Sequence, residues 1–200
     1  MNLDLTMQSL KRLGYKVSYF DTSSDAADYL VESVQGMTVG FGDSATLSSM
    51  NLAERLAEGN RVVDPSDCSD EDFVEVAKGT LLTDVFFTSV NGACETGELV
   101  NIDGTGNRVA GSLFGHKKVY FVFGTNKIEG TLEKAIWRAR NIAAPQNAKR
   151  FGFKTPCAIK GDKCYNCLSP DRICNGMVVY LHAMKDMEVE VVLIDEALGL

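Results

Sequence analysis

The hydrophobic positions of this chain follow two different periods in turn. Short apolar runs, such as residues 119–123 and 189–194, are typical of buried strands. Between such runs lie stripes with helical spacing, for example Leu132, Ala135 and Ile136. Strands that alternate with helices predict an α/β fold in which helices flank a mostly parallel sheet.

The apolar runs place the strands at residues 15–20, 38–41, 61–63, 84–88, 119–123, 177–181 and 189–194. Pro145 is expected to end the helix that begins after Thr131, because proline cannot continue a helix. Two stretches break the alternation. Residues 89–115 are rich in glycine and polar residues and predict a long irregular loop, and residues 154–175 form a cysteine-rich loop.

Length and composition favour one ordinary globular domain over residues 1–200. The chain has 200 residues, 45% of them hydrophobic and 24% charged, which is enough to bury a core without disulfide bonds. No apolar run is long enough to span a membrane, and the first residues lack the basic and apolar regions of a signal peptide. We therefore expect a cytoplasmic protein with reduced thiols and no membrane partner.

The charge is unevenly distributed. The net charge of −7 argues against nucleic acid as a partner. Residues 1–100 carry 6 Lys+Arg and 17 Asp+Glu, whereas residues 101–185 carry 14 Lys+Arg and 5 Asp+Glu. The basic segment is either a solvated surface that pairs with the acidic half or a local site for an anionic small molecule.

Four of the six cysteines, Cys157, Cys164, Cys167 and Cys174, lie within 18 residues. Their spacing, C-x6-C-x2-C-x6-C, predicts a metal site in which four thiolates hold an iron–sulfur cluster or zinc. Iron–sulfur is favoured, because zinc sites usually contain two close pairs and only one pair is close here. The alternative is four buried thiols, or a disulfide formed on oxidation.

A glycine turn follows the strand at residues 38–41. Gly40 and Gly42 permit close approach of a ligand to the backbone, and the helix expected after the turn offers free N–H groups to an anion. Asp43, Ser44 and Thr46 add polar side chains. The same pattern also describes a tight turn followed by a helix cap, so the turn alone does not identify a ligand site.

A second polar segment, residues 91–108, carries more candidate ligand-binding residues. They are Asn91, Asn101, Asp103, Gly104, Gly106, Asn107 and Arg108. Arg108 and the later Lys127 are suited to hold a phosphate or a carboxylate. Ion pairs with Asp103 or Asp43 are the alternative for these two cations.

Several segments of the chain resemble the LUD-domain family. The resemblance rests on Gly-Asp-Ser-x-Thr-Leu at 42–47, Leu-Val-Asn-Ile-Asp-Gly-Thr-Gly-Asn-Arg-Val-Ala at 99–110 and Gly-His-Lys-Lys-Val at 115–119. It continues through residues 126–128 and 140–145 and covers most of the chain. The chain is similar to the short, single-domain branch, whose members carry a cysteine-rich segment near the C-terminus.

The resemblance implies a fold like that of ribose-5-phosphate isomerase, glucosamine-6-phosphate deaminase and the coenzyme A transferases. It implies a role in organic-acid metabolism of the lactate type, with coenzyme A or another phosphate-containing molecule as a ligand. It also implies iron–sulfur redox proteins as partners, and a homodimer is a candidate assembly. An electron-transfer or regulatory role based on the four cysteines is the alternative function.

Whether the protein is an enzyme stays open at this stage. With only two histidines, His116 and His182, a Ser-His-Asp arrangement is disfavoured, so carboxylates would have to act as base or nucleophile. In the coenzyme A transferases a glutamate attacks the thioester, and Glu95 or Glu98 is the candidate for that role here. Alternatively, both glutamates cap turns or face water.

Overall fold

The computed structural model describes residues 1–66, 68–69 and 71–200. Its strands are, in chain order, β1 (Lys16–Phe20), β2 (Thr38–Phe41), β3 (Arg61–Val63), β4 (Val85–Thr88), β5 (Gly92–Cys94), β6 (Leu99–Asp103), β7 (Lys118–Gly124), β8 (Ile128–Glu129), β9 (Gly176–Tyr180) and β10 (Glu188–Ile194). In the described part of the chain, six of them form a fully parallel central sheet in the order β1-β10-β7-β4-β2-β3. The predicted α/β fold with a mostly parallel sheet is therefore confirmed.

The helices are α1 (Leu3–Arg12), α2 (Ser23–Ser33), α3 (Ala45–Ser49), α4 (Leu52–Ala57), α5 (Phe73–Thr80), α6 (Asn107–Leu113), α7 (Leu132–Arg138), α8 (Ala144–Arg150) and α9 (Pro156–Lys160). Adjacent side chains of a strand point to opposite faces of the sheet, so the sheet has two cores. Phe87 and Tyr120 pack with α2, α3 and α4, whereas Phe86 and Phe121 pack on the α1 side. No helix of the described residues combines the length and the hydrophobicity needed to cross a bilayer.

A smaller sheet with the order β8-β5-β6-β9 covers the α1 side of the central sheet. It corrects the expectation of an irregular loop at residues 89–115, because that stretch forms β5, β6 and α6. Strand β6 is buried on both faces and contains the fully buried Asn101, so it lacks the alternating pattern that marks a half-buried strand. Gly97, with a φ of +100°, allows the tight turn between β5 and β6.

The chain does not leave its helical path at Pro145, which corrects a second expectation. Helix α7 continues through a π-helical turn, Ala139–Ala143, into α8, where Pro145 lies in the first turn. Proline normally clashes with the carbonyl group four residues earlier and lacks an N–H donor. The wider π turn and the position at the start of α8 remove both problems.

A buried carboxylate ties three central strands together at the edge of the sheet where they begin. Glu190 of β10 is fully buried and lies 2.8 Å from Lys118 Nζ and 3.3 Å from Lys16 Nζ. Ser18 and Tyr29 donate hydrogen bonds of 2.6 and 2.7 Å to its Oε1. Burial alone would raise the pKa of Glu190, but the hydrogen bonds from these partners outweigh it and lower that pKa.

Candidate functional site

A polar groove lies at the opposite edge of the central sheet, where the parallel strands end. Asp43 follows β2, Ser89 follows β4, and Lys127 ends the 3₁₀ turn that follows β7. Because β4 lies between β2 and β7, these residues are neighbours in space. Crevices at the carboxyl ends of parallel strands are the usual ligand sites of open α/β sheets.

The groove has two wide parts and one narrow part. The wide parts have volumes of about 310 and 380 Å³, and Asp43 lines both of them. The narrow part, of about 30 Å³, is lined by Asp43, Arg108 and Lys127 among others. The 40–46 turn and the 103–108 segment therefore meet in one groove, as the sequence predicts.

Lys127 is the most unusual residue of the groove, because its side chain is buried and contacts no carboxylate of the described residues. Only 3% of its surface is exposed. Its Nζ donates hydrogen bonds to Thr46 Oγ1 at 3.0 Å and to Ser89 Oγ at 3.1 Å. Burial, together with the positive charges of Arg138 and Arg108, lowers the pKa of Lys127 to about 7.

Arg108 is held at the groove by the turn that precedes α6. Asp103 accepts backbone hydrogen bonds of 3.2 Å from Gly106 and Val109, and its Oδ2 lies 3.5 Å from Arg108 Nε. Arg108 also donates to the Ile102 carbonyl oxygen. Asp103 thus shapes the turn and orients Arg108, which lines both the narrow part and one wide part of the groove.

Two asparagines join β4 to β6 below the groove. The buried Asn101 accepts a hydrogen bond from the Asn91 backbone N–H and donates one to the Ser89 carbonyl oxygen, both at 3.0 Å. Asn91 Oδ1 in turn accepts the Ile102 N–H at 2.8 Å. Asn91 lines the groove, whereas Asn101 is fully buried beneath it and positions the loop that carries Ser89.

The predicted glycines have different roles. A Cβ at Gly42 would lie 2.9 Å from the Phe86 ring and 3.1 Å from Arg108 Cγ, so the missing side chain allows Arg108 to lie across the turn. Gly40 packs against the Thr80 carbonyl oxygen of α5 in the same way and does not line the groove. Of the remaining predicted residues, those that line the groove are Ser44, Thr46, Gly104 and Asn107, whereas Gly106 lines a separate surface cavity.

Glu95 and Glu98, the candidate nucleophiles, lie away from the groove. They occupy the turn between β5 and β6, next to α1, and neither lines the described groove. Glu95 Oε1 accepts a 2.6 Å hydrogen bond from the Asn2 N–H, and Glu98 accepts one from Thr96. A nucleophile must reach the bound ligand, and these two glutamates lie away from the groove. Their positions agree with the alternative that they cap turns.

The four clustered cysteines line one small cavity beside α8. Cys164 Sγ accepts the Asn166 backbone N–H at 3.3 Å, and Cys174 Sγ accepts a hydrogen bond of 3.4 Å from Arg172. All four are free thiols. Among the described residues, no three His, Cys, Asp or Glu side chains are grouped so that they could hold a metal ion, so the metal site stays a prediction.

Sequence reasoning missed several residues of the site. Ser89, which binds Lys127, carries the same signal as Asp43, a polar residue directly after a buried strand. Arg138 is buried and donates to the Asn91 carbonyl oxygen at 2.7 Å, a contact between distant segments that no local pattern reveals. Arg150 ends α8 and the exposed Phe151 follows it, and sequence reasoning missed both because Pro145 was expected to end the helix.

Comparisons with known proteins agree with this architecture. A solved structure, a DUF162 family protein from Deinococcus radiodurans, superimposes with a TM-score of 0.55 and 11% sequence identity over 96% of this chain and 95% of that one. At this identity the likeness concerns the fold alone. A search of curated protein sequences gave no match. The family model of the LUD domain matches residues 3–194, and the chain therefore belongs to the LUD domain family.

Proposed function

We propose that this protein binds a small organic anion in the groove at the carboxyl ends of the central strands and acts in organic-acid metabolism of the lactate type. The family is associated with lactate utilization, which supports the choice of a carboxylate. The position of the groove at the carboxyl edge of a parallel sheet supports a ligand site there.

The observation that carries the proposal is the charge of the narrow part of the groove. Among the described residues that line it, Arg108 and Arg150 are cationic, Lys127 is basic, and Asp43 carries a carboxylate. A mostly cationic recess within a protein attracts anions, because the low polarity of its walls strengthens the field of the charges. The basic segment of the sequence thus contributes to a site and not only to a solvated surface.

The adjoining wide part of the groove extends the range of ligands to phosphate-containing molecules such as coenzyme A. It combines Arg108 and Asn107 with the aromatic rings of Phe151 and Phe153 and with Ile173. Its volume of about 310 Å³ lies at the lower end of the range of small-molecule sites. A ligand with an anionic end and an apolar portion therefore fits the chemistry of these walls.

The proposal is tested by thermal unfolding of the full chain with lactate, inorganic phosphate and coenzyme A. We expect at least one of them to stabilise the protein, by about 2.7 kcal/mol when its concentration is a hundred times the Kd. Arg108→Met should abolish the ligand-dependent shift, measured from the variant's own ligand-free Tm. Lys185→Met removes an exposed cation at the other edge of the sheet and should leave the shift unchanged.

Two results of this experiment would contradict the proposal. If none of the three compounds shifts the unfolding of the wild-type protein, the groove does not bind these classes of anion. If Arg108→Met and Lys185→Met respond like the wild type, binding occurs elsewhere.

The cysteine cavity supports a second candidate, an iron–sulfur or zinc centre held by Cys157, Cys164, Cys167 and Cys174. The supporting observation is that N–H donors of Asn166 and Arg172 point at two of the sulfurs, a contact that stabilises thiolates. Binding would have to draw the four thiols closer together, because they are not grouped as metal ligands in the described structure.

Metal and sulfide analysis of anaerobically purified protein tests this candidate. We expect metal in the wild type and in Cys68→Ser, whose cysteine lies outside the segment, but not in Cys164→Ser. Wild-type protein without iron or zinc would rule this candidate out.

A further inference from the structure

The amine of Lys127 has surroundings that anion binding alone does not require. It lies at the floor of the groove, 3% exposed, with two hydroxyl groups as its hydrogen-bond partners. Among the described residues, no carboxylate forms an ion pair with it. A lysine that serves only to hold a negative charge keeps its own charge more easily in water or beside a carboxylate.

These surroundings favour the neutral form of the amine. Burial removes the water that stabilises an ammonium group, and Arg138 and Arg108 repel a further positive charge, so the pKa of Lys127 falls to about 7. A neutral lysine has a free electron pair on nitrogen. Lysines that are desolvated or placed beside other cations are the ones that enzymes use as nucleophiles toward carbonyl carbons.

We propose that Lys127 forms an imine with the carbonyl carbon of a small 2-oxo acid whose carboxylate is bound by Arg108. Both side chains line the narrow part of the groove, whose volume of about 30 Å³ has room for a group as small as a carbonyl. This inference rests on the proposed function, because the anion must first be held in the groove.

The reaction needs no further reagent. The electron pair of the neutral amine forms a bond to the carbonyl carbon, and the electrons of the C=O double bond move to oxygen. A proton passes from nitrogen to that oxygen, giving a carbinolamine. Loss of the oxygen as water leaves the C=N bond of the imine, so that amine and ketone are converted into imine and water. The hydroxyl groups of Thr46 and Ser89, at 3.0 and 3.1 Å from Nζ, lie where they can relay these protons.

Residues 198–200 cover the amine from the other side. The Thr46 hydroxyl donates to the Leu198 carbonyl oxygen at 3.4 Å, and Arg138 donates to the Leu200 carbonyl oxygen at 3.2 Å. A Cβ on Gly199 would lie 3.1 Å from Lys127 Nζ, so the backbone itself approaches the amine here. This cover keeps water away from the amine, and these two hydrogen bonds have to open when the oxo acid binds.

Reductive trapping tests the inference. The full chain is incubated with pyruvate and sodium cyanoborohydride, which reduces an imine to a stable secondary amine, and the adduct is located by peptide mass spectrometry. We expect one adduct per chain at Lys127, formed faster as the pH rises through 7. Lys127→Arg should form none, whereas Lys185→Arg should behave like the wild type. Lactate has the same carboxylate but no carbonyl group, so it should compete with pyruvate and form no adduct.

The outcomes separate this inference from the proposed function. If pyruvate stabilises the protein against unfolding but no adduct forms at Lys127, the imine is refuted and anion binding stands. If pyruvate neither stabilises the protein nor reacts, the imine is refuted and the proposed function loses support as well. If Arg108→Met forms the adduct at the wild-type rate, Arg108 does not hold the carboxylate and that part of the inference is wrong.

Discussion

Replacing Lys127 by methionine should change how the stability of the protein depends on pH. The pKa of Lys127 is about 7 in the folded protein, against 10.5 for an ordinary lysine. Between these values the unfolded chain binds about one proton more than the folded chain. The stability of the wild type therefore rises with pH in this window by about 1.4 kcal/mol per pH unit from this residue alone.

The variant lacks this contribution, so it should exceed the wild type in stability near pH 7 and lose that advantage as the pH approaches 10. Burying the amine costs the wild type roughly 4 kcal/mol of unfolding free energy at pH 7. The variant avoids this cost, but its advantage is smaller by about 1 kcal/mol for each of the two hydrogen bonds, to Thr46 and Ser89, that it loses. Urea unfolding of both proteins across this range measures the difference. Parallel pH curves for wild type and Lys127→Met would refute the reasoning, and Lys185→Met serves as the control that should show no difference.

Three further predictions concern packing and hydrogen bonds within the fold. Glu190→Gln should cost about 3 kcal/mol in urea unfolding, because it removes the buried carboxylate that pairs with the partly buried Lys118 and the exposed Lys16. The difference in stability from the wild type should narrow in acid, since the stability due to a lowered carboxyl pKa is lost as that group is protonated. Gly111→Ala should lower the free energy of unfolding by about 2 kcal/mol, because the new Cβ would lie 2.5 Å from the Phe86 ring. Gly130→Ala is the control, since its Cβ would meet no atom within 4 Å and the free energy of unfolding should change little. Asn101→Leu should cost about 2 kcal/mol, because it removes the hydrogen bonds of the Asn101 side chain with the Asn91 N–H and the Ser89 carbonyl oxygen. An unchanged denaturation midpoint would contradict its positioning role.

The central sheet could be predicted because its strands are buried apolar runs between helices. The predicted strands 38–41 and 61–63 coincide with β2 and β3. In the smaller sheet only β9 was predicted, as the strand at 177–181. Strand β6 could not be predicted, since it is buried on both faces and contains Asn101, whose hydrogen bonds are with distant backbone groups. The continuation of the helix past Pro145 could not be predicted either, because a π turn that accommodates proline depends on the packing of the whole segment.

Part of the site followed from the sequence for a physical reason. The turn with Asp43 follows a parallel strand, so its place at the carboxyl edge of the central sheet could be expected once the fold class was assigned. Its meeting with the 103–108 segment does not follow from that rule, because this segment comes after β6 of the smaller sheet. The environment of Lys127 could not be expected, because its burial depends on Arg138 and on residues 198–200, which are remote in sequence. Likewise, the cysteine spacing predicted four thiols around one metal centre, whereas the four side chains line one cavity without being grouped as metal ligands in the described structure.

The most direct test of the account is an NMR titration of protein with ¹³C-labelled lysine, following the Cε resonance of Lys127 with and without inorganic phosphate. The account predicts a midpoint near pH 7 for the free protein and a higher midpoint with phosphate, since an anion bound in the groove favours the protonated amine. A midpoint near 10.5 that phosphate does not move would contradict both the buried amine and the anion site.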